Sequence, residues 1–441
     1  MTTQIESIPP VARRAAQKSI LVYWLPLAAS WLLMASEMPF INAVLARLSD
    51  VERTIAAFGI VAVISITIES PVISLLSTST ALARSSQSYN MLKRFTLHLI
   101  YLTTILHILI GWTPLFDLVV DNLMGIPESL HEQIRLGMKL MIFWSGSIAW
   151  RRFKQGVLIR HGYTRFVGQG TFVRLVSSAG FAYALGIVFN LPGIIVATIS
   201  LEAGVIAEAT YAHWVARKII NEKFGAAPEN NQDNEISYME LVNFHWPLAA
   251  TNLLFLLTRP LIAAALSRGF TPERDLAAWP ITQGVLFLTR AVTLALPEVV
   301  IALHDREDSK QLSRFSITVG LICSAVLAVV SFTPLSRFYF ETIIGVSSEL
   351  ADLAVIGARV AILLPLLMSG VSFYRGHLTA QKITKPVSLG MIAEISTLAL
   401  VLTAGLHFQI PGITLAALAI VIATSADALI LFITARKQIN L

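Results

Sequence analysis

Twelve ionisable side chains fall within long apolar stretches of this sequence, six in each half of the chain. They are Glu37, Glu69, Lys139, Arg174, Glu202, Glu208, Arg259, Arg290, Glu298, Arg359, Glu394 and Asp427. A charged side chain that faces lipid costs at least about 2.5 kcal/mol, so each is expected to face a cleft or a partner. The arginines suit a carboxylate or phosphate, because the planar guanidinium donates two hydrogen bonds at once.

These residue types predict a basic binding site for a small anionic solute. Arg259, Arg290 and Arg359, with Lys139 opposite, are expected to bind the substrate. Several cations in one cleft repel each other until an anion joins them, so a dianion or polyanion supplies what the empty site lacks.

Two carboxylates are candidates for gating or proton coupling. Glu37 and Glu69 could close the empty site against Arg259 and Arg290, or carry a coupling proton. The alternative is that these residues form static ion pairs between the two halves of the chain. Four further charges lie closer to the predicted cytoplasmic ends and are expected to be structural pairs or to reach for the membrane surface: Arg174, Glu208, Glu394 and Asp427.

The composition requires lipid around the chain. Of its 441 residues 55% are hydrophobic and 14% charged, and the mean hydropathy is +0.69. Apolar stretches of about 20 residues, long enough to cross a bilayer, recur along the whole length. We predict an all-α polytopic protein with about twelve helices near 20–44, 54–83, 95–118, 132–160, 167–190, 192–218, 241–265, 275–304, 315–334, 350–380, 386–408 and 411–436.

The chain contains an internal duplication. Shifting the sequence by 221 residues places Pro26–Arg47 on Pro247–Arg268 with 11 of 22 positions identical, and the register continues at offsets of 220 and 219. The duplication aligns Glu69 with Arg290 and Lys139 with Arg359, so the charge is inverted at the first of these pairs. Six helices per half is an even number, so both halves share one orientation in the membrane.

The duplication predicts the organisation of the chain. Residues 1–220 are expected to form one six-helix lobe, 221–237 a cytoplasmic linker and 238–441 the second lobe. Two parallel lobes with a cleft between them are typical of rocker-type carriers. Prolines inside the predicted helices, such as Pro26 and Pro260, leave two alternatives, helices broken around a cavity or ordinary kinks.

The basic residues predict the topology. Most of the 33 lysines and arginines fall in segments on one side, so we expect a multi-pass protein of the cell (inner) membrane with both termini in the cytoplasm. The formal net charge of +6 then reflects topology and attraction to membrane lipids rather than binding of nucleic acid.

Enzymatic signatures are missing from the sequence. It contains no phosphate-binding Gly-x4-Gly-Lys-Ser/Thr loop and no His-Glu-x-x-His zinc motif. The single cysteine, Cys323, cannot form a disulfide framework within the chain or a cysteine metal site. We therefore expect a protein without cofactor or metal that is not an enzyme, whereas an intramembrane enzyme would have to show covalent turnover of a ligand.

Several short segments resemble the progressive ankylosis protein family. They are 243–249 (NFHWPLA), 258–261 (TRPL), 267–268 (SR), 290–292 (RAV), 344–346 (IGV) and 375–379 (RGHLT). The similarity is that of a distant bacterial-type relative. It implies the two-lobe, MATE-like fold of the multidrug, oligosaccharidyl-lipid and polysaccharide exporter (MOP) superfamily, and export of citrate, other carboxylates, pyrophosphate or nucleotides. The resemblance assigns the family's functional positions to Glu37, Arg259, Arg290 and Arg359 of this chain, whereas Glu69 departs from the family pattern.

Three functions follow as alternatives. The first is a secondary active transporter that exports an organic or phosphorylated anion by alternating access, coupled to a proton or sodium ion. The second is a cation or drug antiporter, for which Glu37 and Glu69 would be the essential pair. The third is a flippase for lipid-linked precursors, which would use the same basic cleft for a diphosphate headgroup and open it to lipid.

Overall fold

The computed structural model describes residues 10–163, 165–224, 237–304, 308–381, 383 and 385–438. These residues form helices and connecting turns, without a strand among them. Twelve helical segments follow one another along the described chain: α1 (Pro10–Leu45), α2 (Val51–Ile68, Ser70–Ile73 and Leu75–Leu82), α3 (Ser86–Trp112), α4 (His131–Leu140 and Trp144–Arg160), α5 (Arg165–Tyr183), α6 (Gly193–Phe224), α7 (Tyr238–Leu266), α8 (Pro272–Arg290, Ala291–Ala295 and Leu296–Leu303), α9 (Ser309–Phe332), α10 (Ser348–Val360 and Leu364–Ala380), α11 (Lys385–His407) and α12 (Gly412–Gln438).

The helices have the length and composition of membrane spans. Ten in the described part of the chain are long and apolar enough to cross a bilayer, and the two pieces of α10, bent by 47°, make an eleventh. The prediction of an all-α polytopic membrane protein is confirmed.

Most of the predicted linker, 225–236, and both ends of the chain lie outside the described residues, whereas 221–224 extend α6. We call the end of the helices near Arg84 and Arg160 the inner end, and the other end the outer end.

Glycines hold helix pairs together at equivalent places in the two halves. A Cβ on Gly156 of α4 would lie 2.6 Å from the carbonyl oxygen of Leu76 in α2. At the positions that the duplication relates to these, a Cβ on Gly376 of α10 would lie 2.9 Å from the carbonyl oxygen of Pro297 in α8. Small residues let helix backbones approach closely in a membrane, so these contacts fix α4 on α2 and α10 on α8.

Both α2 and α8 are interrupted in mid-span, at positions related by the offset of 221. Glu69 separates the first two pieces of α2. After Arg290, α8 leaves α-helical geometry for the 3₁₀ turn Ala291–Ala295. Pro71 contributes to the first break, because it has no N–H to continue the helical hydrogen bonding.

The prolines of α1 and α7 do not break their helices. Both run continuously, α1 through Pro26 and Pro39, and α7 through Pro247 and Pro260. The alternative of broken helices at the prolines of α1 and α7 is therefore wrong, and the interruptions lie in α2, α4, α8 and α10 instead.

Replacing Gly156 by alanine should destabilise the protein by about 1–3 kcal/mol, because the new methyl group overlaps backbone atoms that cannot move alone. Thermal unfolding in detergent measures the effect. Gly180→Ala is the matched control, since no atom lies within 4 Å of a Cβ built there. Equal unfolding temperatures for the two variants would contradict the close contact of α4 with α2.

Candidate functional site

The two halves of the chain meet along α1 and α2 on one side and α7 and α8 on the other. Near the inner end, the indole nitrogen of Trp24 in α1 donates to the carbonyl oxygen of Val292 in α8, at 3.1 Å. His245 of α7 contacts the carbonyl oxygen of Pro71 in α2 through Nε2, at 2.8 Å. The offset of 221 relates Trp24 to His245 and Pro71 to Val292. We call this reciprocal pair the inner contacts.

The partners of His245 fix its tautomer. A carbonyl oxygen only accepts hydrogen bonds, so Nε2 carries the proton. Nδ1 then accepts from the hydroxyl of Thr78, at 2.9 Å. His245 also packs edge-to-face on Phe95, as Trp24 does on Phe315 at the equivalent position.

A second reciprocal pair joins the halves at the outer end. The guanidinium of Arg47 donates to the carbonyl oxygens of 342–344, at 3.1–3.4 Å. Arg268, its equivalent, donates to those of Leu123 and Met124, both at 2.9 Å. These carbonyls lie at the ends of two short π-helices, Asp117–Leu123 after α3 and Phe338–Ile344 after α9, where unpaired oxygens favour a cation. We call this pair the outer latches.

Glycine is required at each outer latch. Gly125 and Gly345 follow the π-helices with φ of 65° and 88°, a left-handed conformation that glycine adopts without strain. A Cβ on Gly125 would lie 3.1 Å from Cζ of Arg268, and one on Gly345 would lie 3.3 Å from the guanidinium of Arg47. The absence of a side chain therefore lets the arginines reach the carbonyls.

Between the inner contacts and the outer latches lie Glu69 and Arg290, at the two helix breaks. Arg259 of α7 lies within electrostatic range of both side chains. Arg259 is exposed in spite of this central position, and the electrostatic range of Glu69 places it on the side of α7 towards the first half. Oε2 of Glu69 and Nε of Arg290 are buried without a hydrogen-bond partner among the described residues.

Arg259 and Arg290 have no carboxylate within 4.0 Å in the described part of the chain. They lie close enough to repel each other, and Glu394 reaches Arg290 only at longer range. The arrangement leaves two neighbouring guanidinium groups at membrane depth with unused donors. Chemically, such a pair is suited to an oxyanion.

Four buried charges of the first half are paired with one another. Glu37 accepts two hydrogen bonds from Arg174, at 2.9 and 2.6 Å, and one from Ser178, at 2.6 Å. Arg151 donates to Glu208 at 2.6 Å, and Nη1 of Arg174 lies 3.9 Å from the same carboxylate. All five side chains are buried and form one connected network, in which Nε of Arg151 has no hydrogen-bond partner among the described residues.

The second half has a related network, in which the cation comes from a different position. Arg375 donates to Asp427 at 2.6 Å and lies 3.6 Å from Glu394. Asp427 is the equivalent of Glu208, so this position is acidic in both halves. Glu394 is the equivalent of Arg174, so that position is basic in the first half and acidic in the second. Arg375 replaces Gln155, which donates to Glu208 at 3.0 Å in the first half.

The expected pairs between the halves are not formed in this structure. Glu37 was predicted to meet Arg259, but it pairs with Arg174 inside its own half, because its side chain on α1 faces α5. Glu69 and Arg290 are not in contact either; the cations in electrostatic range of Glu69 include Arg151 and Arg152 of α4. Of the predicted set, the structure brings together Arg259, Arg290 and Glu69.

Lys139 and Arg359 lie elsewhere. The ammonium of Lys139 lies 5.7 Å from the ring centroid of Trp112, and the guanidinium of Arg359 lies 5.0 Å from that of Phe332, the equivalent residue. Arg359 also donates to the carbonyl oxygen of Ser331 at 2.9 Å. No contact joins them to Arg290 among the described residues. Both residues lie on faces of α4 and α10 that carry exposed apolar side chains. There the ring of Trp112 or Phe332 stabilises the cation by a cation–π interaction.

Trp24 and Arg375 are partners in these contacts that the sequence did not predict. The duplication could have indicated both residues, since it aligns Trp24 with His245 and Arg375 with Gln155. Apolar patterning alone cannot find them, because it does not say which face of a helix meets the other half.

Arg174→Met should destabilise the protein by about 3–5 kcal/mol, because it leaves Glu37 charged and buried without its partner. The double variant with Glu37→Met should recover part of this loss, and the double-mutant cycle measures the coupling by thermal unfolding in detergent. Additive effects of the two substitutions would contradict the paired arrangement.

Known proteins share this fold. A sequence model of the progressive ankylosis protein (ANKH) family matches residues 92–292. Solved structures with a similar fold include an inward-facing multidrug resistance MATE family transporter of the MOP superfamily, with TM-score 0.66 and 14% identity over 95% of this chain and 97% of that one. A Vibrio cholerae MATE transporter has TM-score 0.60 and 17% identity over 97% and 98% of the two chains.

A third similar structure is a MOP superfamily transporter from Pyrococcus furiosus, for which a reverse polarity of the binding pocket is said to suggest a different function. It has TM-score 0.65 and 13% identity, over 94% of this chain and 95% of that one. The family match and the shared fold agree with the resemblance of the short segments. The chain is therefore similar to the progressive ankylosis protein family over residues 92–292 and shares the fold of these MATE and MOP superfamily transporters.

Proposed function

We propose that the protein is a secondary active transporter that exports an organic or phosphorylated anion by alternating access. The observation that supports this most directly is the unneutralised pair Arg259 and Arg290 in the space between the halves. Arg151, Arg174 and Arg375 each have a carboxylate partner inside their own half. A substrate with two or more negative charges would supply the missing partner. Citrate, another carboxylate, pyrophosphate and a nucleotide all fit this chemistry.

The helix breaks support the same location for the substrate. Interrupted helices in carriers expose backbone groups to a bound solute near the middle of the membrane. Here both breaks carry a charge, Glu69 on one side and Arg290 on the other. When the site is empty, Glu69 attracts Arg259 only at longer range, and a bound anion replaces that attraction with a direct contact. This assigns Glu69 to gating rather than to substrate binding.

Reciprocal contacts at both ends suit alternating access. Opening towards the inside requires loss of the inner contacts of Trp24 and His245, and opening towards the outside requires loss of the outer latches of Arg47 and Arg268. Each pair consists of a few hydrogen bonds at a net gain of about 0.5–1.5 kcal/mol each, up to about 3 for charged donors. Contacts of this strength can break and re-form during each transport cycle.

A cation antiporter is less consistent with the contacts of the acidic residues. Glu37, the acid expected to bind a cation in that alternative, already accepts three hydrogen bonds, two of them from Arg174. The reverse pocket polarity described for the Pyrococcus furiosus relative offers a parallel. The resemblance to the progressive ankylosis protein family, with its export of carboxylates and phosphorylated anions, points to the same substrate class.

Citrate, malate, pyrophosphate or ATP should stabilise the detergent-purified protein against heat, and Arg290→Ala or Arg259→Ala should abolish the effect. A ligand that binds only the folded state adds about 2.7 kcal/mol at roughly 100 times its Kd, which is a readily measured shift. The active anion is then tested for uptake into inside-out vesicles, where the same variants should lose transport.

Arg359→Ala is the matched control for that experiment, because it removes an arginine that lies over Phe332 rather than beside Arg290. We expect this variant to keep the anion-dependent shift. Stabilisation by cationic dyes alone, undisturbed by Arg290→Ala, would reject the anion site and favour a drug antiporter. If an anion still raises the unfolding temperature of both Arg290→Ala and Arg259→Ala, the anion binds at another site.

Removal of an outer latch should favour the outward-open state. In a Cys323→Ala background, a cysteine at Gly284 reports on the contact of α8 with Pro39 of α1, since a Cβ at 284 lies 3.5 Å from that proline. Arg47→Ala should increase its labelling by a membrane-impermeant maleimide severalfold. Arg53→Ala, an exposed arginine nearby, is the control. Equal labelling in both variants would show that the latch does not hold the outer end closed.

A further inference from the structure

A groove of about 360 Å³ lies on the surface of the first half, away from the helices that join the two halves. Its floor is formed by Phe143, Ser147 and Trp150 of α4, and its walls by Ile100 of α3 and Thr210 of α6, among others. Its surroundings are apolar and exposed, with Phe143 at 63%, Tyr101 of α3 at 65% and Trp214 of α6 at 71% exposure. In a multi-pass membrane protein, such a surface faces lipid.

The inner end of this groove carries a cluster of cations. Lys93 of α3, Lys154 of α4 and Arg217 of α6 all lie within electrostatic range of His213, which lines the groove. The ring of His213 stacks on Trp150, and Nδ1 of His213 accepts a hydrogen bond from the indole nitrogen at 3.1 Å. Three helices thus direct positive charge to one place.

Lys154 is the buried member of this cluster. Its ammonium lies 4.7–5.1 Å from the ring centroids of Tyr89, Trp150 and Phe153, and it donates to the hydroxyl of Tyr89 at 2.6 Å. No carboxylate of the described residues lies within 4.0 Å of it. Rings and a hydroxyl hold this cation in place but do not neutralise it, so a negative charge is missing.

The equivalent surface of the second half keeps one of the three cations, with Arg436 at the position of Arg217, and lacks the other two. The duplication aligns Lys154 with Tyr374, Lys93 with Ser313, His213 with Phe432 and Trp150 with Gly370. Tyr374 and Phe432 pack edge-to-face there, without a cation between them. Positive-inside topology explains basic residues that recur in both halves, such as Arg217 and Arg436, but it does not explain Lys154, whose equivalent is Tyr374.

We propose that this groove binds one anionic phospholipid of the inner leaflet. The acyl chain lies along α4 between α3 and α6, and the phosphate meets Lys93, Arg217 and the end of Lys154. The distance from Phe143 to Lys154 is eleven residues, about 16 Å along a helix, which matches half of a hydrocarbon layer about 30 Å thick. Clusters of basic residues at the membrane surface attract anionic headgroups in this way. The site is separate from the central arginines and does not depend on the proposed transport function.

The test uses the full-length protein in detergent, with phosphatidylglycerol as the anionic probe and phosphatidylcholine as the neutral one. Phosphatidylglycerol should raise the unfolding temperature by several degrees, and phosphatidylcholine should not. Lys93→Gln with Arg217→Gln should remove the shift, and both residues are exposed, so the variant should fold normally. Arg314→Gln with Arg436→Gln removes two positive charges from the second half instead. This control variant should keep the rise in unfolding temperature with phosphatidylglycerol.

Two further measurements identify the bound species. Ser147→Phe fills the groove without changing any charge, so it should weaken the phosphatidylglycerol shift if an acyl chain occupies the groove. Inorganic phosphate and glycerol 3-phosphate carry the headgroup charge without a chain and should give no shift. An equal shift with soluble phosphate, or one retained in both Lys93→Gln/Arg217→Gln and Ser147→Phe, would overturn the proposal.

Discussion

A charge at membrane depth is costly without a counter-charge inside the protein, and the way the helices of each half are joined follows from that cost. Lipid offers no counter-charge, so each buried ion pair ties together the helices that supply its partners. Glu37 and Arg174 join α1 to α5, Arg151 and Glu208 join α4 to α6, and Arg375 joins α10 to α12. Each half is held together by its own network, and none of these ion pairs joins the two halves.

The duplication made much of the fold predictable from the sequence. It placed twelve helices in two sets and aligned the positions at which α2 and α8 break. It also related Gly156 to Gly376 and Arg47 to Arg268, pairs that the structure shows in equivalent contacts. Hydropathy and repeated glycines and prolines were sufficient for this, because they depend on helix length and backbone approach rather than on side-chain direction.

The partners within the site were less predictable. An alignment of the two halves relates Glu37 to the neighbourhood of Arg259, but equivalence is not contact, and Glu37 turns towards α5 instead. Lys139 and Arg359 were correctly paired as equivalents but lie over aromatic rings. A helix that is apolar on all sides gives no periodic signal for its rotation, so the sequence could not tell a cleft-facing cation from one beside lipid.

One hydrogen bond connects the local structure of α8 to the closure of the inner end. The N–H of Leu296 bonds to the carbonyl of Thr293 within the 3₁₀ turn, so it does not occupy the carbonyl of Val292, its partner in a regular α-helix. Trp24 of the opposite half uses that carbonyl instead. A conversion of the turn to α-helix would bring Leu296 into competition with the indole. The helix–turn equilibrium of one segment and the separation of the two halves are thereby linked thermodynamically, and whatever biases one must bias the other by the same free energy.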